Sequence, residues 1–222
     1  RNSIIVAPHP RAKLTNKKIC DLMRAALKKM GAPEDLVIGI ETPSLETTNE
    51  LMRQCDLVLA TGGGAMVHAA YSSGSPALGV GVGNAVITVD DTADLDAAAE
   101  KIRLSKTLDL AASCSSDNSV VLLDGIYEPM LEKLRAQGGY LCNEEEKAAL
   151  RNTLWDEELH LNTAIVAQPP EKIAQMAGLS IPEETKFFIV PEEGWGPEHP
   201  FSGEKLSVIM ALYRARDIDH AI

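Results

Sequence analysis

The stretch Asp56-Leu-Val-Leu-Ala-Thr-Gly-Gly-Gly-Ala-Met-Val-His-Ala-Ala70 runs from a short apolar segment through three glycines into a series of helix formers. Residues 56–60 have the length and composition of a buried strand, and residues 65–72 read as a helix. The flanking sequence repeats the pattern. Residues 2–7 form an apolar run ended by Pro8 and read as a buried parallel strand. Residues 15–30 place Ile19, Leu22, Met23, Ala26 and Leu27 on one helical face, and Gly31 stops that helix. Residues 36–40 read as a strand, and Ser44 caps a helix over 45–53. Strands over 77–80 and 86–89 and a helix over 95–108 follow. This alternation predicts an α/β fold of mostly parallel open sheets with helices on both faces.

The alternation restarts after Ser113. Residues 120–123 read as a strand, 127–137 as a helix, and the Glu-rich 143–150 as another helix. Pro169-Pro170 opens a helix over 171–177. Strands are expected over 186–190 and 207–213, with a Gly/Pro/Glu-rich loop between them carrying Trp195, His199 and Phe201. Asp217 starts a last helix. The break in the alternation places a domain boundary near Asp109–Ser113, giving domains over residues 1–110 and 111–222.

The chain has 222 residues, 45% of them hydrophobic and 24% charged, which is an ordinary globular composition. Its net charge of −11 argues against a nucleic-acid surface, which needs clustered Lys and Arg. No apolar run approaches membrane-spanning length, so no membrane partner is expected. The four cysteines, Cys20, Cys55, Cys114 and Cys142, are widely and irregularly spaced, which disfavours a zinc site and fits reduced thiols in a cytoplasmic protein. Cys20 and Cys55 are expected to face the core, and Cys142 to serve packing.

Cys114 differs from these. It lies in Ala111-Ala-Ser-Cys-Ser-Ser-Asp-Asn118, a loop of small polar residues between a helix and a strand. A thiol in such a junction becomes a nucleophile if N–H groups or a cation favour its thiolate, and otherwise remains an unreactive loop cysteine. Two glycine-rich turns are also candidates. Thr61, Gly62 and Gly63 lead into a helix, where main-chain N–H groups suit a pyrophosphate, although a tight strand–helix turn needs the same glycines. The turn Gly79-Val-Gly-Val-Gly-Asn84, with Gly81 at its centre, fails as a dinucleotide fingerprint, because strand rather than helix follows it. Pro8 and His9 stand at a strand's end, where ligands of α/β sheets gather. The five histidines show no metal-ligand spacing, and no G-x-S-x-G elbow appears.

In order along the chain, Pro8-His-Pro-Arg-Ala-Lys13, Leu59-Ala-Thr-Gly-Gly63, Ala69-Ala-Tyr-Ser-Ser-Gly74, Gly79-Val-Gly-Val-Gly-Asn84, Ser105-Lys-Thr107, Cys114 and Phe201-Ser-Gly-Glu-Lys-Leu-Ser207 resemble the coenzyme-A-acylating aldehyde dehydrogenases. The resemblance spans essentially the whole chain. It implies a cofactor domain followed by a catalytic domain, with Cys114 as the covalent nucleophile. It also implies NAD(P)+ as hydride acceptor, coenzyme A as co-substrate and a small aldehyde as substrate. Thr61, Gly62, Gly63, Pro8, His9 and Gly81 are the cofactor-binding positions, and no metal is implied.

Hydrolytic relatives carry a glutamate base in Glu-Leu-Gly-Gly, and that position falls on Gly79 here. They carry Lys-Pro where this chain has Pro8-His9, and a ribose-binding glutamate where it has His199. The family is about twice this length. By the resemblance the chain is a fragment, without the segment whose asparagine joins the oxyanion hole and without the part that completes a homo-oligomer interface. That leaves the Cys114 N–H as the one oxyanion donor that can be placed. The loop around Cys114 resembles the branch acting on sulfoacetaldehyde, and its hydroxyls could bond a sulfonate. A hydrolytic aldehyde dehydrogenase, and a non-catalytic nucleotide-binding module with a structural Cys114, are the rival readings.

Overall fold

A computed structural model describes residues 2–222. Every strand pair in it is parallel, so the chain has the expected α/β fold with mostly parallel sheets. It divides into two compact units, Arg1–Gly81 and Val82–Ile222.

The first unit runs β1 (Ile4–Val6), α1 (Lys13–Lys29), β2 (Val37–Gly39), α2 (Leu45–Gln54), β3 (Val58–Thr61), α3 (Gly64–Tyr71) and β4 (Ala77–Val80). Strands β1 and β2 pair with each other, as do β3 and β4. Ser44 caps α2 by accepting the Thr47 N–H at 3.0 Å. Val58 and Ala60 are buried with Met52 and Ala70, whereas Leu59 between them is 68% exposed. Alternation along a strand sends successive side chains to opposite faces, and no described element covers the Leu59 face. Ile4 and Ile5 of β1 are exposed as well, which corrects the expectation of a buried first strand.

The second unit runs β5 (Ala85–Val89), α4 (Leu95–Thr107), β6 (Asp117–Leu123), α5 (Tyr127–Ala136), β7 (Gly139–Leu141), α6 (Glu144–Leu154), α7 (Pro170–Ala177), β8 (Phe187–Pro191), β9 (Ile209–Ala215) and α8 (Ile218–Ala221). Its five strands form one sheet in the order β5-β6-β9-β8-β7. Residues 187–190 and 209–211 have no exposed surface, as expected of central strands covered on both faces. Each such Phe, Ile or Val side chain contributes about 1.5–3 kcal/mol of burial. Asn143 and Glu146 close a capping box at the start of α6.

The packing divides earlier than the expected boundary at 110. Strand β5 pairs with β6, setting Ile87 opposite Val120, and the α4 residues Ala99 and Ile102 are buried in the same core as Met130 and Leu134 of α5. Residues 82–110 therefore pack with the second unit. Strand β7 is an element not anticipated from the sequence. It begins at Gly139, where a Cβ would stand 2.7 Å from Ile189 Cδ1 and 2.8 Å from the Leu134 carbonyl. Gly138, at φ +93°, makes the turn that admits it. Cys20 and Cys142 are buried as expected, and Cys55 only partly so. Burial pushes the Cys142 thiol up to about 12, so it is inert packing. No helix among the described residues is long and apolar enough to cross a membrane.

Candidate active site

In the second unit, Cys114 occupies an exposed turn just ahead of β6. The approach to it is strained. Asp109, Leu110 and Ala111 all have positive φ, at 47°, 53° and 56°. A left-handed non-glycine residue costs roughly 1–2 kcal/mol, so three in succession persist only where the surroundings impose them. They turn the chain sharply from the end of α4 into the Cys114 loop. Ser113 Oγ and Ser115 Oγ lie 2.9 Å apart, and the Ser116 N–H closes the turn on the Ser113 carbonyl. The Cys114 N–H has no protein acceptor among the described residues.

Beneath this turn, three segments are bound together. The first is Gly83-Asn84, ahead of β5. A Cβ on Gly83 would collide with the Cys114 carbonyl oxygen and sit 2.9 Å from Cys114 Cβ, so only glycine allows the two main chains to touch. The Gly83 N–H donates to Glu204 Oε1 at 2.9 Å, and Asn84 Nδ2 donates to the Ser202 carbonyl at 2.9 Å. The second segment is β6 itself. Buried Asn118 donates to Asn84 Oδ1 at 2.7 Å, to the Gly203 carbonyl at 2.8 Å and to the Ser202 carbonyl at 3.3 Å. The third is the turn over residues 201–204. It is anchored by buried Phe201, whose ring meets Trp155 edge to face at 4.9 Å.

Of two buried lysines in this unit, Lys205 joins these segments and Lys106 lies beyond them. Lys205 Nζ donates to the carbonyls of Phe201 at 2.6 Å, Gly203 at 3.1 Å and Asn118 at 3.3 Å. Lys106 Nζ donates to the carbonyls of Ser207 at 2.8 Å and Ile209 at 3.1 Å, tying α4 to the entry of β9. Burial pulls the Lys106 ammonium down to about 7, against a smaller opposing effect of Asp117. Lys205 is lowered too, by burial and then by the charge of Lys106.

In the first unit, Thr61 ends β3 and Gly63 is the N-cap of α3, with no side chain capping it. A Cβ at Gly63 or Gly64 would meet nothing within 4 Å, so the helix N-terminus is open. The Gly62 N–H is already used, donating to the Val80 carbonyl at 3.0 Å. Such an uncovered start with bare glycines fits the phosphates of a dinucleotide. Pro8 is half-buried and His9 exposed after β1, where His9 Nδ1 accepts the Arg11 N–H at 3.2 Å. Gly81 follows β4, and a Cβ there would make only ordinary contact with Val67 at 3.7 Å.

Gly79 is closely enclosed. A Cβ there would lie 2.6 Å from Val67 Cγ1 and 2.9 Å from Tyr71 Cε2, and its N–H donates to Tyr71 Oη at 3.0 Å. Tyr71 and Val67 thus fill the space that a glutamate would need.

The sequence drew attention to Cys114 but not to the residues packed beneath it. Gly83, Asn84, Asn118, Glu204 and Lys205 stand inside the quoted motifs, but the sequence assigned none of them a role. One signal was present for Lys106: it continues the spacing of Ala99 and Ile102, the buried face of α4. A lysine in register with an apolar stripe marks a buried amine.

Residues 1–142 match the aldehyde dehydrogenase family model. The whole chain is 45% identical to the bifunctional aldehyde-alcohol dehydrogenase of Escherichia coli, covering 25% of that protein. It is 44% identical to the acylating sulfoacetaldehyde dehydrogenase of Cupriavidus necator, covering 45% of it. Among solved structures, a propionaldehyde dehydrogenase of Rhodopseudomonas palustris, with bound coenzyme A and an acylated cysteine, superposes with a TM-score of 0.91. It is 28% identical, over 99% of this chain and 50% of that one. The chain thus spans a quarter to a half of the relatives it matches. It belongs to the aldehyde dehydrogenase family, and the relatives it resembles include acylating members.

Proposed function

We propose that this chain carries the nucleophile and part of the cofactor site of a coenzyme-A-acylating aldehyde dehydrogenase. The observation that carries the reading is an exposed thiol, Cys114, on a main chain fixed by buried partners, in a group whose relatives are named as acylating enzymes.

The Cys114 thiolate adds to the aldehyde carbon and forms a thiohemiacetal. The unbonded Cys114 N–H supplies a donor to the oxygen as it gains charge. NAD(P)+, when held by the chain, would supply the acceptor for the hydride that leaves this carbon. What remains on Cys114 is an acyl thioester. The thiolate of coenzyme A attacks its carbonyl, acyl-CoA departs, and the cysteine thiolate is restored. A thiol with a pKa near 8.5 is partly ionised at neutral pH, so this second attack needs no dedicated base. Occupation of the Gly79 site by Tyr71 and Val67 agrees with that economy. The acylated cysteine of the Rhodopseudomonas palustris structure supports the same intermediate here.

In this reading Thr61, Gly62 and Gly63 hold the cofactor's pyrophosphate, Gly81 permits its close approach, and Pro8 and His9 stand beside the adenosine half. Sulfoacetaldehyde is the proposed aldehyde, giving sulfoacetyl-CoA. Its support is the Cupriavidus necator relative together with the hydroxyls of Ser113, Ser115 and Ser116 around the thiol. Turnover of sulfoacetaldehyde and acetaldehyde by the intact protein, with coenzyme A and NAD(P)+, tests this. The expected result is a higher kcat/KM for sulfoacetaldehyde. Clear preference for acetaldehyde would remove the sulfonate, and free-acid formation at full rate without coenzyme A would remove the acylating reaction.

A further inference from the structure

Lys205 has no exposed surface, and all its hydrogen bonds run to main-chain carbonyls, those of Phe201, Gly203 and Asn118. Its amino group can only donate, and three carbonyl oxygens surround it. Burying such a group among uncharged acceptors is costly, and an apolar side chain of similar length would fill the space without that cost. The three carbonyls are informative in their placement. Two belong to the turn over residues 201–204, and the third to β6, four residues after Cys114. The same turn accepts the Asn118 carboxamide, and its Glu204 accepts the Gly83 N–H. Gly83 in turn lies against the Cys114 main chain.

We propose that Lys205 is a positioning residue for Cys114. With Asn118 it clamps the 201–204 turn to the start of β6, and Glu204 passes that restraint to Gly83, which backs the Cys114 main chain. The proposal rests on Cys114 being the nucleophile. Lys106 is its internal control, because that equally buried amine reaches only the Ser207 and Ile209 carbonyls, beyond the turn.

The test compares Lys205→Met and Lys106→Met with the unaltered intact protein. It reads iodoacetamide labelling at each cysteine by mass spectrometry, together with kcat and KM. In the unaltered protein Cys114 should label faster than Cys20, Cys55 and Cys142; if it does not, the nucleophile assignment itself fails. Given that selectivity, Lys205→Met is expected to slow Cys114 labelling and to lower kcat by roughly 10- to 100-fold, the scale of an ångström-sized misplacement. The aldehyde KM should stay within about twofold, because Lys205 has no exposed surface to offer a substrate, and Lys106→Met should keep Cys114 labelling within about twofold. Unchanged labelling in Lys205→Met, or equal loss in both variants, would overturn the proposal. If Lys205→Met shows no cooperative thermal transition, Asn118→Ala removes the other half of the clamp. The same slowing there supports the assignment, and an unaltered rate refutes it.

Discussion

Gly63 and Gly83 both stand in glycine-rich turns beside a strand, and they are glycine for opposite reasons. At Gly63 an added Cβ would meet nothing within 4 Å; at Gly83 it would strike the Cys114 carbonyl. The first glycine leaves a helix N-terminus bare toward the outside. The second lets one main chain lie against another. A cradle for a mobile ligand is made by leaving side chains out, whereas a fixed nucleophile is made by filling the space beneath it with satisfied polar groups.

The contrast has consequences that can be measured. The largest is for Gly83→Ala. Its methyl group must displace the Cys114 main chain, so unfolding stability should fall by roughly 1–3 kcal/mol. Turnover should fall by about 100-fold, as expected for a displaced nucleophile. Chemical denaturation and steady-state kinetics read the two losses. Gly63→Ala should behave otherwise. Gly63 has φ −65° and ψ 168°, which alanine adopts freely, and the entropy gained offsets alanine's weaker N-cap preference, so stability should change by less than about 1 kcal/mol. In the proposed cofactor site the same methyl group would stand where phosphate oxygens approach, and the NAD(P)+ KM should rise by about tenfold with kcat little changed. A large loss of stability in Gly63→Ala would erase the distinction between the two turns.

A smaller effect concerns the buried amines. Lys106 titrates near 7 when folded and near 10.5 when unfolded. Between those values the unfolded chain holds the extra proton, so raising the pH from 7 toward 10 favours the folded state. Lys205, also lowered by burial, acts in the same direction. Stability should therefore climb by at most about 1.4 kcal/mol per pH unit for each such proton. Lys106→Met should lose its share of that slope. Thermal melts of both proteins between pH 7 and 9 check this, and identical slopes would count against a folded-state amine that gives up its proton.

Much of the architecture was legible because its cues are local. The apolar runs, the Ser44 cap and the Pro169-Pro170 start each act within a few residues, and each element stands within a few residues of its expected place. Strand β7 was not legible, since three residues starting at Gly139 are too few to show a strand pattern; only the contacts with Ile189 and Leu134 show that glycine is required by a neighbouring layer. The burial of β1 was misjudged because hydrophobicity states what a residue prefers, not what lies across from it. The domain boundary was placed too late because β5 is assigned by its pairing with β6, a contact made across some thirty residues of chain. Cys114 stood out through its polar neighbours. Its supports, Asn118, Glu204 and Lys205, lie in segments that meet Gly83 only in the folded chain, so no spacing rule could join them.

The account depends most on Cys114 carrying the acyl group. The direct measurement is mass spectrometry of the intact protein after exposure to aldehyde and NAD(P)+ without coenzyme A. The predicted result is one acyl adduct, on the Cys114 peptide, that disappears as acyl-CoA forms when coenzyme A is added. Turnover proceeding with no adduct at Cys114, or with the adduct on Cys20, Cys55 or Cys142, would contradict it.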